Sequence, residues 1–238
     1  MGRLITIALR TLWAAALVVF VACALYPVGT TVTRTAGALS FAFLWVGLMV
    51  LLWKWRGWRW FVPAATLVVV VFLVLPGRSP SQNALREKYS GCLQRYEGVR
   101  YVWGGENAVG IDCSGLVRRG LMDALFLEGL RTVNPGLVRE ALALWWHDTT
   151  AKVLGEASGP TMAVTGAPQI NLLDHSLLRA GDMAVTESGI HILAYLGDQT
   201  WIEADPAAEK VITVKVPSQD NPWLATPVKI VRWKILQP

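Results

Sequence analysis

The sequence predicts an α+β domain, with helices packed on a small antiparallel sheet, preceded by three transmembrane helices. Three observations lead to this prediction. The first 80 residues are strongly apolar and contain seven basic residues but no acidic residue. After about residue 80 the composition becomes that of a globular domain, in which helical periodicity is followed by short apolar runs typical of strands. We therefore expect a transmembrane region over residues 1–78 and a folded domain over residues 79–238.

The apolar third contains three uncharged stretches, at residues 11–33, 35–53 and 60–77. Each is long enough to cross a bilayer as a helix. Pro63 is expected in the first turn of the third helix, where a missing N–H costs little. Basic residues lie mainly beside the N-terminus and between the second and third stretches, so the positive-inside rule places both regions in the cytoplasm. The domain that follows is then extracytoplasmic, and the lipid bilayer is an expected partner.

The first stretch also has features of an export signal. Ala22-Cys23-Ala24 resembles a small-residue cleavage site, and residues 20–23 form a weak lipoprotein-like sequence. In both alternatives the mature chain begins outside the membrane, crosses inward with the second stretch and returns with the third. The domain is exported in every case.

The charge distribution argues against a nucleic-acid partner. After position 80 the chain contains 15 basic and 17 acidic residues, so the net charge of +5 belongs to the apolar third. The domain therefore has no basic stripe that could bind phosphates. Its Cys and His residues lack the spacing of a zinc site, and no glycine-rich phosphate loop follows a strand. We expect no metal, no cofactor and no nucleic acid, and the sequence leaves the oligomeric state open.

Capping residues predict three helices in the first half of the domain. Ser79 and Pro80 are expected to begin the first helix, which ends at Gly98. The second begins near Cys113, and the third follows Asn134-Pro135. Apolar side chains recur at helical spacing through all three segments.

Short apolar runs predict five strands in the second half, with Gly197-Asp198 as a hairpin turn. The predicted strands cover residues 183–186, 190–196, 200–204, 211–216 and 228–236. The stretch from Gly155 to Ile170 is rich in Gly, Pro, Ser and Thr, and is predicted to be a loop and a candidate lid. Helices followed by antiparallel strands indicate an α+β architecture.

Cys113 is the candidate nucleophile because it stands at the start of the second helix. The unpaired N–H groups and the dipole of a helix N-terminus favour a thiolate, so we expect the pKa of this thiol to be lowered. Cys23 and Cys92 lie in apolar stretches and are expected to be structural. A Cys92–Cys113 disulfide would consume the thiol, and we expect none to form.

A nucleophilic cysteine needs a base, and the candidates are His147, His175 and His191. We favour His191 because it falls in an apolar strand, where a polar side chain needs a purpose. The hairpin that follows brings the next strand opposite His191, so Glu203 is expected to orient the imidazole, with Asp205 as the alternative. His147 and His175 are expected to be surface or packing residues.

These segments resemble the NlpC/P60 family of cysteine peptidases, papain-like enzymes that cleave peptidoglycan stem peptides. The matching pieces, in order, are YVWGG at 101–105, DCSG at 112–115, AGD at 180–182 and HILAYLGDQTWIEA at 191–204. The resemblance covers about residues 84–216. It implies the following roles: Cys113 as nucleophile, His191 as general base, Glu203 as orienting group, Tyr101 beside the thiol, and Asp112 and Ser114 as residues that bind the substrate peptide.

The predicted transmembrane helices place the protein in the bacterial inner (cytoplasmic) membrane with its domain on the periplasmic side, and the resemblance implies that this domain is a peptidase with the peptidoglycan peptide as its substrate. The favoured bond joins D-glutamate to a diamino acid, and the bond between muramic acid and alanine comes second. Glu203 stands where the family usually has His, Asn or Gln, and the segment between Cys113 and Gly181 is unusually long. These departures keep two alternatives open: a wall-binding module without turnover, and a thiol acyltransferase or antibacterial effector.

Overall fold

The computed structural model describes residues 2–237, and the side chains of residues 7–237. Met1 and Pro238, the outer limits of the two predicted regions, lie outside the described residues, as does the side chain of Arg3 in the N-terminal positive charge. Within the described part, three N-terminal helices precede a domain built from four helices, a two-stranded hairpin and a six-stranded sheet.

The N-terminal helices are α1 (Gly2–Leu25), α2 (Thr31–Leu52) and α3 (Trp58–Val74). By length and composition, α1 and α2 could each cross a membrane. The prediction of three such helices is corrected, because α3 is apolar but only 17 residues long. Pro63 is also not in its first turn, since the helix begins at Trp58 rather than near residue 60.

The first predicted stretch is divided by a connector, residues 26–30, rather than continuing to residue 33. Pro27 in this connector has no N–H with which to extend α1. Thr30 then caps α2 in a reciprocal capping box with Thr33. Trp13 Nε1 donates to the Leu44 carbonyl at 3.1 Å, so α1 and α2 form a joined helical hairpin.

Within the described residues, the domain consists of four α-helices and eight strands. Its helices are α4 (Gln82–Gln94), α5 (Cys113–Arg131), α6 (Pro135–Trp146) and α7 (Ala151–Gly155). Its strands are β1 (Glu106–Asn107), β2 (Gly110–Ile111), β3 (Thr161–Ala167), β4 (Met183–Thr186), β5 (Ile192–Gly197), β6 (Thr200–Asp205), β7 (Lys210–Lys215) and β8 (Val228–Trp233).

The large sheet is antiparallel and has the order β3-β8-β4-β5-β6-β7. One face packs against α4 and α5 through a core that includes Tyr89, Leu116 and Ile202. The other face buries Trp201 and Ile230 beneath the loops that follow β3 and β7. The prediction of helices packed on a small antiparallel sheet is confirmed.

Three local predictions are corrected. The segment from Gly155 to Ile170 is not a lid, because Thr161–Ala167 pairs with β8 as the edge strand of the sheet. Its small polar residues suit an edge position, where only one neighbour is required. The N-cap position of the first helix of the domain is Ser81 rather than Ser79, and the Ser81 side chain makes no capping hydrogen bond. His191 lies immediately before β5, not within it.

A buried ion pair fixes the start of β4 against β8. The Asp182 carboxylate accepts hydrogen bonds from Arg232 Nε at 2.6 Å and Arg232 Nη2 at 2.7 Å, and it also accepts the Arg179 N–H at 2.9 Å. Asp182 is fully buried. Burial and then the charge of Arg232 lower the pKa of the nearby Arg86, so Asp182 neutralises a positive part of the core.

We expect Asp182→Ala to lower the free energy of unfolding by about 3–5 kcal/mol, because it leaves the buried Arg232 without a counter-charge. Thermal or urea unfolding of the detergent-solubilised protein measures this loss. The matched control is Asp220→Ala, which removes a carboxylate from an exposed position. Equal stability of the two variants would contradict this role for Asp182.

Candidate active site

Asp112 builds the position of the candidate nucleophile by capping α5. Its Oδ1 atom accepts the Gly115 N–H at 2.6 Å and the Ser114 hydroxyl at 3.0 Å. Its Oδ2 atom accepts the Gly104 N–H at 2.8 Å. One carboxylate therefore joins the loop that contains Gly104 and Gly105, here called the glycine loop, to the first turn of α5, whose first residue is Cys113. A side chain at Gly115 would collide with the Gly105 carbonyl, which explains the glycine there.

The Cys113 thiol is buried, with 6% of the residue exposed, and its sulfur lies 4.0 Å from the Ile190 carbonyl oxygen. Burial raises the pKa of this thiol to about 12, and the charge of Asp112 adds to the shift. The N–H groups of Cys113, Ser114 and Ile192 lower the pKa, as expected at a helix start, but they do not outweigh burial. The expectation of a lowered pKa is therefore wrong for this closed site, where the thiol is neutral.

His191 and Glu203 form a buried pair, and the backbone on either side of His191, at Ile190 and Ile192, lies against the Cys113 sulfur. The His191 Nε2 atom is hydrogen-bonded to Glu203 Oε2, and both side chains are almost completely shielded from solvent. Because the bond to Glu203 occupies Nε2, Nδ1 is the ring nitrogen available to accept a proton. The neutral thiol and this imidazole are suited to general-base activation of a sulfur nucleophile.

Asn221 and Trp223 complete the surroundings of this pair, and sequence reasoning missed both. Asn221 Nδ2 donates to Glu203 Oε1, so both oxygens of the carboxylate are bound. Trp223 stacks on the His191 ring with centroids 4.2 Å apart and planes at 20°. Asn221-Pro222 was a readable cap-and-proline signal for a turn, but nothing in the spacing connects it with Glu203.

Thr186 holds the backbone of His191. Its hydroxyl oxygen accepts the His191 N–H at 3.1 Å, and its own N–H donates to the His191 carbonyl at 3.0 Å. The imidazole is thus fixed by a backbone clamp, a stacked ring and a carboxylate. This arrangement preorganises the candidate base before substrate binds.

The other predicted site residues are Tyr101, Asp112, Ser114 and Asp205, the alternative to Glu203. Tyr101 lies half-buried near the thiol; burial raises the pKa of its phenol to about 12, and Cys113, Asp112 and Asp205 add to the shift. The Asp112 carboxylate and the Ser114 hydroxyl bond to each other, and Asp112 also bonds to backbone N–H groups, so both residues build the first turn of α5. Asp205 accepts the Ala207 N–H, whereas Glu203 is the residue bonded to His191.

The other two histidines lie outside this arrangement. His175 Nε2 accepts the Trp201 indole N–H at 3.1 Å, and burial lowers the pKa of this imidazole. His147 is exposed at the end of α6. Cys23 and Cys92 are free thiols, as is Cys113.

Comparison with known proteins gives a family match to the part of the chain that contains Cys113, His191 and Glu203. The NlpC/P60 family model matches residues 98–232, which starts and ends later than the expected 84–216. A search of curated proteins found no match. Among solved structures, an NlpC/P60 family protein from Bacillus cereus matches with 16% identity, a TM-score of 0.41 and coverage of 66% of this chain and 41% of that one.

Two further structures illustrate the range of the matches. NlpC1 from Trichomonas vaginalis has 16% identity and a TM-score of 0.41, with coverage of 66% of this chain and 46% of that chain. The peptidoglycan hydrolase RipB from Mycobacterium tuberculosis has 21% identity and a TM-score of 0.43, with coverage of 69% and 74%. The chain spans less than half the length of the Bacillus and Trichomonas proteins.

The raised pKa of Cys113 predicts slow alkylation at neutral pH. We expect the rate of iodoacetamide modification at Cys113 to rise about tenfold per pH unit from pH 7 to 9, because the thiolate is the reactive form. Peptide mass spectrometry, with Cys113→Ser to confirm the assignment, measures this rate separately from those of Cys23 and Cys92. A rate independent of pH between 6 and 8 would show a preformed thiolate instead.

The Asn221 contact predicts a graded effect on catalysis. We expect Asn221→Ala to lower kcat about tenfold, because Glu203 loses one of its two hydrogen bonds and orients His191 less firmly. Glu203→Gln is expected to lower kcat more, since it removes the charge that stabilises the imidazolium. Hydrolysis rates on peptidoglycan fragments test this order, and Asn221→Ala at wild-type kcat would contradict it.

Proposed function

The chain belongs to the NlpC/P60 family, whose model matches more than half of it, and on that premise we propose that it is a membrane-tethered cysteine peptidase that hydrolyses peptidoglycan stem peptides. The observation that supports this most directly is the buried His191–Glu203–Asn221 chain of hydrogen bonds beside Cys113. Such a chain is costly to bury for structural purposes alone, and it provides the base that a thiol nucleophile requires.

The reaction proceeds through an acyl-enzyme. As Cys113 Sγ attacks the amide carbonyl carbon, His191 Nδ1 accepts the thiol proton, and Glu203 stabilises the resulting imidazolium. The backbone N–H of Cys113 donates to the oxyanion. The C–N bond then breaks, the imidazolium protonates the leaving amine, and a thioester remains. Water, deprotonated by Nδ1, attacks the thioester and releases the carboxylic acid and the free thiol.

The resemblance to the family favours one bond of the substrate. We propose the bond between D-glutamate and a diamino acid as the first choice, and the bond between muramic acid and alanine as the second. In both cases the group attacked is an amide carbonyl, so the roles of Cys113 and His191 are unchanged.

The packing of the N-terminal helices supports a membrane anchor with the domain outside. The α1–α2 connector contacts the domain, and Arg139 donates to the Leu73 and Leu75 carbonyls at the end of α3. The basic, Trp-rich turn between α2 and α3 lies at the other end of α2, roughly 30 Å away. We propose that this turn faces the cytoplasm, that α3, although only 17 residues long, returns the chain through the bilayer, and that the domain lies on the extracytoplasmic side of the bacterial inner membrane.

One observation favours a second candidate function. Only 6% of Cys113 is exposed, so the site is closed to solvent as it stands. A module that binds wall peptides without cleaving them would tolerate this closure. An enzyme requires the substrate or a motion of the surrounding loops to expose the sulfur.

The test uses the full chain in nanodiscs, incubated with purified peptidoglycan, with released fragments identified by mass spectrometry. We expect Cys113→Ala and His191→Ala to lower the rate by about 10³-fold or more, since nucleophile and base act as a unit. His147→Ala, which removes an exposed imidazole, should retain activity. Binding of intact peptidoglycan with no fragments, from a folded wild-type protein, would instead support the binding module.

A further inference from the structure

The connector between α1 and α2 is joined to the glycine loop of the candidate active site. Glu106 N–H donates to the Pro27 carbonyl at 2.9 Å, and Asn107 Nδ2 donates to the Tyr26 carbonyl at 2.8 Å. Val28 and Gly105 form an antiparallel bridge. The connector thus lies along the β1–β2 hairpin as a short additional strand.

A cluster of charges reinforces this joint. Glu106 accepts hydrogen bonds from Arg34 Nη2 at 2.6 Å and from Arg118 Nη1, so one carboxylate joins α2 to α5. Arg34 also donates to the Trp146 carbonyl, and Arg118 pairs with Asp148 at 2.8 Å. The guanidinium groups of Arg34 and Arg118 are each about 5% exposed. Removing Glu106 would take away the carboxylate that binds Arg34 and would leave Arg118 paired with Asp148.

Two hydrogen bonds connect this joint to the nucleophile. Gly104 N–H donates to the Asp112 carboxylate at 2.8 Å, and Asp112 N–H donates to the Gly105 carbonyl at 3.0 Å. Asp112 caps the helix that begins with Cys113. A shift of the Gly104–Glu106 segment is therefore transmitted to the helix cap, and through the cap to the sulfur.

The α1–α2 hairpin contacts the domain at this joint. A cavity of about 540 Å³ lies beside it, lined by Phe20 and Phe41 of the helices and by Trp145 of the domain. The connector and Arg34, at the rim of the cavity, carry the contact.

We propose that the α1–α2 hairpin is part of the catalytic unit, with Arg34 and Glu106 as positioning residues that hold the glycine loop against the cap of the nucleophile helix. A simple anchor would need no buried ion pair with the loop beside the thiol. For its effect on turnover the inference rests on the proposed peptidase function. For its effect on the thiol it stands without that function.

The experiment compares Arg34→Gln, Glu106→Gln and Arg34→Lys in the full chain in nanodiscs. We expect Arg34→Gln to lower kcat about tenfold, equivalent to ~1.4 kcal/mol in the barrier, and Glu106→Gln to lower it further. At the same time the alkylation rate of Cys113 at pH 8 should rise about threefold or more, because a loosened loop exposes the sulfur and lowers its pKa. Arg34→Lys should restore most of both values.

The matched control is Arg139→Gln, which removes the arginine that joins α6 to the end of α3 without touching the glycine loop. It should leave kcat and the Cys113 alkylation rate at wild-type values. Thermal unfolding of each variant confirms that it is folded. The double variant Arg34→Gln with Glu106→Gln should be no worse than Glu106→Gln alone, since the two residues act as a unit.

Wild-type alkylation of Cys113 in both Arg34→Gln and Glu106→Gln would overturn the inference, as would an equal change in Arg139→Gln. If the wild-type protein releases no fragments, the proposed peptidase function fails, yet the alkylation rates still decide this inference. A change confined to Arg34→Gln and Glu106→Gln supports it in either case.

Discussion

The structure around the candidate site depends on one carboxylate, that of Asp112. It accepts hydrogen bonds from the N–H groups of Gly104 and Gly115 and from the hydroxyl of Ser114. A single side chain therefore holds the glycine loop against the first turn of α5. Charged acceptors at a helix N-terminus are favourable because they satisfy unpaired N–H groups. Here the same interaction also fixes the first turn of the helix that begins with Cys113.

Two opposing effects act on the Cys113 thiol, and their balance determines the chemistry. Backbone N–H groups at the helix start favour the thiolate, whereas burial and the charge of Asp112 favour the thiol. Burial dominates, so in the proposed reaction the proton leaves as the sulfur attacks. The base is accordingly the more elaborate part of the site: Glu203 is bonded to His191, Trp223 stacks on its ring, and Asn221 is bonded to Glu203.

Local signals in the sequence were sufficient for much of the fold. Asn134-Pro135 marked the start of α6, and the four residues of β4 were read directly from their apolar run, because capping and strand patterns act over a few residues. The Arg34–Glu106 pair was beyond such reasoning, since 72 positions separate its members. The Glu203–Asn221 contact likewise depends on how the chain after β7 folds back.

The burial of Cys113 has a consequence for the lifetime of the protein. Oxidants and disulfide exchange attack thiolates that solvent can reach, so a neutral, shielded sulfur resists conversion to sulfenic acid and to mixed disulfides. In the extracytoplasmic location proposed above, no reducing pool would repair such damage. A site that keeps its sulfur shielded therefore trades standing reactivity for chemical durability.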